Sequence, residues 1–244
     1  MSKYVIIDNR MRKIEKEKLR ELGYNLFEID TNTNLYYEIS SHTDIFCCKV
    51  KNVLVFEKTV YDKFIKYIKN IEKLDNVMLG NKQVQEKYPN DILYNVCIIG
   101  NFAIHNFKYT DKTICDLIEK YNLKKINIKQ GYSKCSIAAI DEKSVIVSDK
   151  AIAKILNENG IETLLIENVN NIKLLTNNNS YSNMQGFIGG VMSKLGDMIF
   201  VSGDLRKIDT NDKIRKYIES KNLKIIDFPS LDIIDYGGII ECEM

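Results

Sequence analysis

Two histidines and six cysteines limit the side-chain chemistry open to this 244-residue chain. His42 stands in Ser41-His42-Thr43-Asp44, a polar string that opens the apolar run Ile45-Phe46-Cys47-Cys48. Such a string at the start of a buried strand costs free energy unless its groups are paired or face a cavity. His42 is therefore either an acid/base group or a satisfied structural residue. Asp44, and Asp91 in the similar opening Tyr88-Pro89-Asn90-Asp91-Ile92, either hold backbone N–H groups at the two strand starts or contact a ligand. His105, in Ile104-His105-Asn106, reads as a turn or core histidine at a strand end.

The cysteines are Cys47, Cys48, Cys97, Cys115, Cys135 and Cys242, with no Cys-x-x-Cys pair. No spacing supports a zinc site or a disulfide scaffold, so neither metal nor cofactor is expected. The first four fall in apolar patterns and read as small core residues. Cys135 lies in Tyr132-Ser133-Lys134-Cys135-Ser136, where strand alternation would turn Lys134 away from the thiol; Cys135 is a core residue or a nucleophile. Tyr132 and Phe187 hold matching places and either line a channel mouth or plug the core. Gly189-Gly190 and Gly237-Gly238 allow close backbone approach to a ligand or to a strand.

The elements that would position these residues repeat. From Gln130 the chain reads as strand, polar turn, the strand Val145-Ile146-Val147, a helix capped by Asp149 and stopped by Gly160, and a third strand over Thr163 to Ile166. The order ββαβ recurs from Gln185, whose Gln-Gly-aromatic opening repeats that of Gln130. Five units follow, at about 1–40, 41–87, 88–129, 130–184 and 185–231, in a single domain spanning 1–244. Unit one lacks a first strand, and residues 232–244 are β-rich, so the tail is expected to supply it and close the ring. The Asn-rich insert from Asn168 to Asn183 reads as a solvated loop.

Lys plus Arg at 35 against Asp plus Glu at 33 gives a net charge of +2, too small to argue for a nucleic-acid or anionic-membrane partner. The leading apolar run, Tyr4 to Ile7, is too short for a signal-peptide core or a bilayer span, and a soluble cytoplasmic protein is expected.

Five ββαβ units closed by a terminal strand resemble the pentein fold, the pseudo-fivefold α/β-propeller of arginine and agmatine deiminases, dimethylarginine hydrolases, amidinotransferases and a ribosome anti-association factor. His42-Thr43-Asp44 is similar to that superfamily's His-x-Asp motif. Gly237-Gly238-Ile239-Ile240-Glu241-Cys242 is similar to its Gly-Gly-x-x-His-Cys motif, with Glu241 in place of histidine. The openings Ser-His-x-Asp-Ile, Gln-Gly-Tyr-x-Lys-Cys and Gly-Phe-Ile-Gly-Gly also resemble an uncharacterised bacterial domain family. The resemblance implies a cysteine hydrolase of the deiminase type, acting on a guanidino or amidine compound in a central channel. Cys242 would be the nucleophile with Cys135 as fallback, and His42 the acid/base. The substrate-binding positions it implies are Asp44, Asp91, Tyr132, Lys134, Phe187, Gly189, Gly190 and Asp235. A non-catalytic ring that binds a small ligand or a protein is the alternative, since the anti-association member shows that the architecture does not require the chemistry.

Overall fold

The computed structural model describes residues 2–68, 76–167, 169–177 and 184–244. Unit one contains β1 (Lys3–Asp8), α1 (Lys13–Glu21) and β2 (Asn25–Ile29). Unit two contains α2 (Thr43–Phe46), β3 (Cys47–Val50), β4 (Val53–Phe56), α3 (Lys58–Tyr67) and β5 (Val77–Leu79). Unit three contains β6 (Cys97–Ile99), β7 (Phe102–His105), α4 (Lys112–Lys120) and β8 (Lys124–Asn127). Unit four contains α5 (Ser133–Ser136), β9 (Ile137–Ala139), β10 (Ser144–Val147), α6 (Lys150–Glu158) and β11 (Glu162–Leu165). Unit five contains α7 (Ile188–Val191), β12 (Met192–Leu195), β13 (Met198–Val201), α8 (Lys213–Glu219) and β14 (Lys224–Ile226), and β15 (Ile240–Glu243) ends the chain.

Among the described residues the strands form five three-stranded sheets, each open and none closed into a barrel. In every sheet the central strand pairs antiparallel with the unit's first strand and parallel with its last. The tail supplies the strand that unit one lacks: β15 runs antiparallel to β1, with Tyr4 opposite Cys242 and Ile6 opposite Ile240.

The central strands are apolar almost throughout because both faces are covered. Val5, Ile6 and Ile7 of β1 are fully buried, as are Val145, Ile146 and Val147 of β10. Each such side chain contributes about 1.5–3 kcal/mol of burial. Alternate residues face different cores, so each of the five apolar clusters lies between consecutive units. One joins unit one to unit two through Ile6, Phe27, Phe56 and Phe64. Others join units two and three, three and four, and four and five. The fifth packs Leu195, Phe200 and Phe228 of unit five on Val5, Ile7 and Leu19 of unit one.

Local caps hold the helices where the sequence places them. Asp149 accepts from the amides of Ala151 (2.7 Å) and Ile152 (2.9 Å) at the start of α6. Gly160, at φ +80°, takes the left-handed position that ends it.

Two expectations are corrected. The openings at Ser41–Phe46 and Tyr132–Ser136 are not strands: each folds as a one-turn helix, α2 and α5, before its strand begins at Cys47 or Ile137. The Asn-rich insert is not simply solvated. Ile172 is buried in the core between units four and five, and Lys173 forms bridges to Gln185 and Ile234. Residues 168 and 178–183 of that insert lie outside the described residues. No helix among the described residues is long and apolar enough to cross a membrane.

Candidate active site

The segments leading into the first strands of the five units converge on one point. His42, Tyr132, Phe187 and Asp235 each stand five residues before the first residue of β3, β9, β12 and β15 respectively. All four line one cavity of about 140 Å³. In unit three the same count falls on Ile92, and its neighbour Asp91 lines the cavity instead. Cys135 reaches it from α5, and Tyr36 and Tyr88 complete an aromatic wall with Tyr132 and Phe187. The Tyr132 and Phe187 rings are stacked at 6.2 Å between centroids.

Polar side chains in this dry setting are held by few partners. Cys135 donates from Sγ to Oδ2 of Asp44 at 2.8 Å, and Asn95 Nδ2 donates to the same sulfur at 3.2 Å. Asn95 also fixes α5, accepting on Oδ1 from the backbone N–H groups of Lys134 (2.8 Å) and Cys135 (3.3 Å). Asp91 accepts from the hydroxyl of Tyr132. Asp235 accepts from the amides of Phe187 and Gly237, each at 2.8 Å, and its Oδ1 lies 3.8 Å from Nδ1 of His42.

Several buried polar atoms around the cavity are left without partners among the described residues. His42 is 1% exposed and, among the described residues, neither ring nitrogen has a hydrogen-bond partner; Oδ1 of Asp44 and Oδ1 of Asp91 are likewise buried and unpaired there. Leaving such groups dry and unsatisfied costs about 1–3 kcal/mol each, which a bound polar molecule would recover.

Burial governs the electrostatics. It pushes the Asp44 carboxyl up to about 6, against the opposing pull of His42 and Lys134. It also raises Asp91, while the Tyr132 hydrogen bond pulls the other way. The Cys135 thiol is driven well above its ordinary range by burial and by the carboxylates of Asp44 and Asp235. A cation entering this cavity would reverse that field, stabilising both carboxylates and thiolate.

Of the residues singled out in the sequence, His42, Asp91, Tyr132, Cys135, Phe187 and Asp235 meet here, and Asp44 joins them through the thiol. Cys242 does not. It sits on β15 in the core between units one and two, where burial pushes its thiol up to about 12. Lys134 points elsewhere, its Nζ donating to the carbonyl of Gly189 at 3.0 Å. Gly189 and Gly190 do not line the cavity but pack tightly behind it: a side chain at Gly190 would collide with the Asp235 carboxylate, and one at Gly189 with the α5 carbonyls. His105 is structural, bound to Thr110 Oγ1 (2.6 Å) and the Gly131 carbonyl (3.0 Å), with burial lowering it to about 4.

Sequence reasoning missed Asn95. Its signal was a lone amide in the apolar run Ile92 to Cys97, two residues before β6 as Cys135 is two before β9.

Solved structures with this architecture belong to the pentein superfamily. Dimethylarginine dimethylaminohydrolase from Pseudomonas aeruginosa, solved as a mutant complexed with citrulline, matches at a TM-score of 0.55 and 9% identity over 95% of this chain and 92% of that one. An adduct of the same type of hydrolase with 4-chloro-2-hydroxymethylpyridine matches at a TM-score of 0.58 and 8% identity, over 95% and 93%. Agmatine deiminase from C. jejuni matches at a TM-score of 0.53 and 13% identity, over 92% and 74%. These likenesses establish a pentein fold. The chain itself belongs to the family of unknown function DUF6873, whose model matches residues 6–240. No curated protein matches the sequence.

Proposed function

We propose that this protein is a cysteine hydrolase acting on a small guanidino or amidine cation, with Cys135 rather than Cys242 as nucleophile. The observation that carries the reading is the meeting of His42, Asp91, Asp235 and Cys135 on one cavity, with Asp44 bonded to the thiol. Supporting it, the five inter-unit cores and the pairing of β15 with β1 fit a closed pseudo-fivefold propeller, which would bring five unit openings to one axis.

A guanidinium carbon is a poor electrophile, so catalysis needs an anionic sulfur and firm hold of the N–H groups. Asp91 and Asp235 would grip the cation, and Tyr132 and Phe187 would face its plane. The positive charge of the substrate would let Asp44 take the thiol proton. The thiolate then adds to the carbon, the C–N bond to the leaving amine breaks, and His42 protonates that amine. Water, activated by the neutral His42, adds to the resulting carbon–sulfur adduct; the C–S bond breaks and the thiol is restored. The net reaction is substrate plus water giving a urea or amide plus ammonia or an amine.

The test is incubation of purified protein with guanidine, methylguanidine, agmatine, arginine and methylated arginines, following ammonia or amine and the ureido product. Product formation by the native chain and none by Cys135→Ala supports the reading. Silence across the panel, with calorimetry showing these cations bind, would replace it with a second: a binding protein for a small cation. The thiol held high by burial and by two carboxylates favours that alternative.

A further inference from the structure

The five first strands enclose a second cavity, of about 330 Å³, to which β3, β6, β9, β12 and β15 all contribute. The cavity built around Cys135 is lined by the segments before those strands, so the two occupy successive levels of one set of elements. Contacts cross between the two levels: the Thr43 hydroxyl donates to the Gly237 carbonyl at 2.6 Å, and the Gly238 amide to the Gly190 carbonyl at 2.9 Å.

The two have opposite charge. Lys49, Lys51, Lys134 and Lys194 line the second cavity, against Glu142 and Glu241. The Glu241 carboxylate is already occupied, accepting from the Tyr24 hydroxyl at 2.6 Å and the Gly196 amide at 3.0 Å. Among the described residues none of the four ammonium groups forms an ion pair, although elsewhere lysines meet acids directly, as in Lys112–Asp116 and Lys221–Glu162. Three are instead positioned by carbonyls: Lys49 donates to Glu241 at 2.6 Å, Lys51 to Gly100 at 2.7 Å and Lys134 to Gly189 at 3.0 Å. Lys51 also donates to Asn101 Oδ1 at 2.9 Å, and each of the three retains at least one N–H for a further acceptor, since an ammonium carries three donors.

We propose that this second cavity binds a small phosphorylated compound. Clustered ammonium groups without carboxylate partners match a polyanion, for which lysine serves as a point charge. Apolar side chains such as Ile98 and Met192 offer a surface to its organic part, and a cavity of this size, walled by strands, excludes a nucleic-acid duplex. The inference is independent of turnover at Cys135.

Calorimetric titration of the full chain with inorganic pyrophosphate tests it. Saturable binding with one site per chain, weakening as salt rises, is expected. Replacing the exposed Lys51 and Lys194 together by glutamine should weaken it by about tenfold or more, while Lys112→Gln leaves it unchanged. Bound pyrophosphate should also slow acetylation of Lys194 relative to Lys112, a readout that needs no variant. Absence of saturable binding at millimolar pyrophosphate, or equal losses in Lys51→Gln/Lys194→Gln and Lys112→Gln, overturns the proposal.

Discussion

Cys135 and Asp44 lie 91 residues apart in sequence, yet the thiol donates to the carboxylate across 2.8 Å where the openings of units four and two meet. The contact joins a thiol to a carboxylate beside a cavity lined by a histidine and two further carboxylates.

Cys135→Ser should reduce turnover at least about a thousandfold, because a hydroxyl is a far weaker nucleophile at neutral pH. Cys242→Ala should keep turnover per folded molecule and lose about 1–2 kcal/mol of stability from the core. Steady-state ammonia release beside denaturant melts of both variants separates the roles; full activity in Cys135→Ser would dismiss the nucleophile.

The buried Asp44 carries a pH signature. Its carboxyl titrates near 6 in the fold, against an ordinary value of 3.8, so the folded state holds the proton more tightly than the unfolded chain. The protonated form costs nothing at pH 3; as pH rises from about 4 to 6 the unfolded chain ionises first and stability falls, by about 3 kcal/mol at completion. Asp44→Asn should therefore raise the melting temperature at pH 7.5, lose that advantage near pH 4, and lack activity throughout. A gain independent of pH would contradict this assignment.

Tyr132→Phe removes the only side-chain hydrogen bond made to Asp91 among the described residues and leaves the ring stack on Phe187 intact. Ligand affinity should fall about three- to thirtyfold, because Asp91 loses the partner that orients it, and the melting midpoint should fall as well, because a second buried oxygen of that carboxylate is left unpaired. Titration of a bound cation by calorimetry measures this.

Gly190→Ala drives a methyl into the Asp235 carboxylate, which is itself tied to two backbone amides. The expected loss is about 1–3 kcal/mol together with ligand binding. Gly160→Ala, at an exposed helix end, is strained only by its positive φ and should leave the cavity untouched. Equal binding by both variants would separate the close approach at Gly190 from the site.

Much of the architecture was legible because ββαβ order leaves a strong trace: alternating or continuous apolar strands, capped helices at 3.6 spacing, and a first unit visibly short of a strand that Ile240 to Glu243 could supply. The one-turn helices α2, α5 and α7 were not legible, since four residues span barely one helical turn and show no repeating pattern. That misreading turned Lys134 and Cys135 onto opposite faces of a strand that does not exist. Cys242 drew attention through its spacing from Gly237-Gly238, but β15 alternation sends its side chain into the core. Asp44, Asn95 and Cys135 come from three different units, and no local spacing announces a contact made only when those units pack together.

The tail that pairs with β1 begins only five residues after Asp235, so the last strand and the wall of the pocket share one short stretch of backbone. Fraying of that hem would withdraw Asp235 from His42 before any central strand was disturbed. By linkage, a molecule lodged against Asp235 must in turn hold the hem down. Slowed hydrogen exchange at Ile240 to Glu243 would then report occupancy of a cavity that those amides do not themselves line.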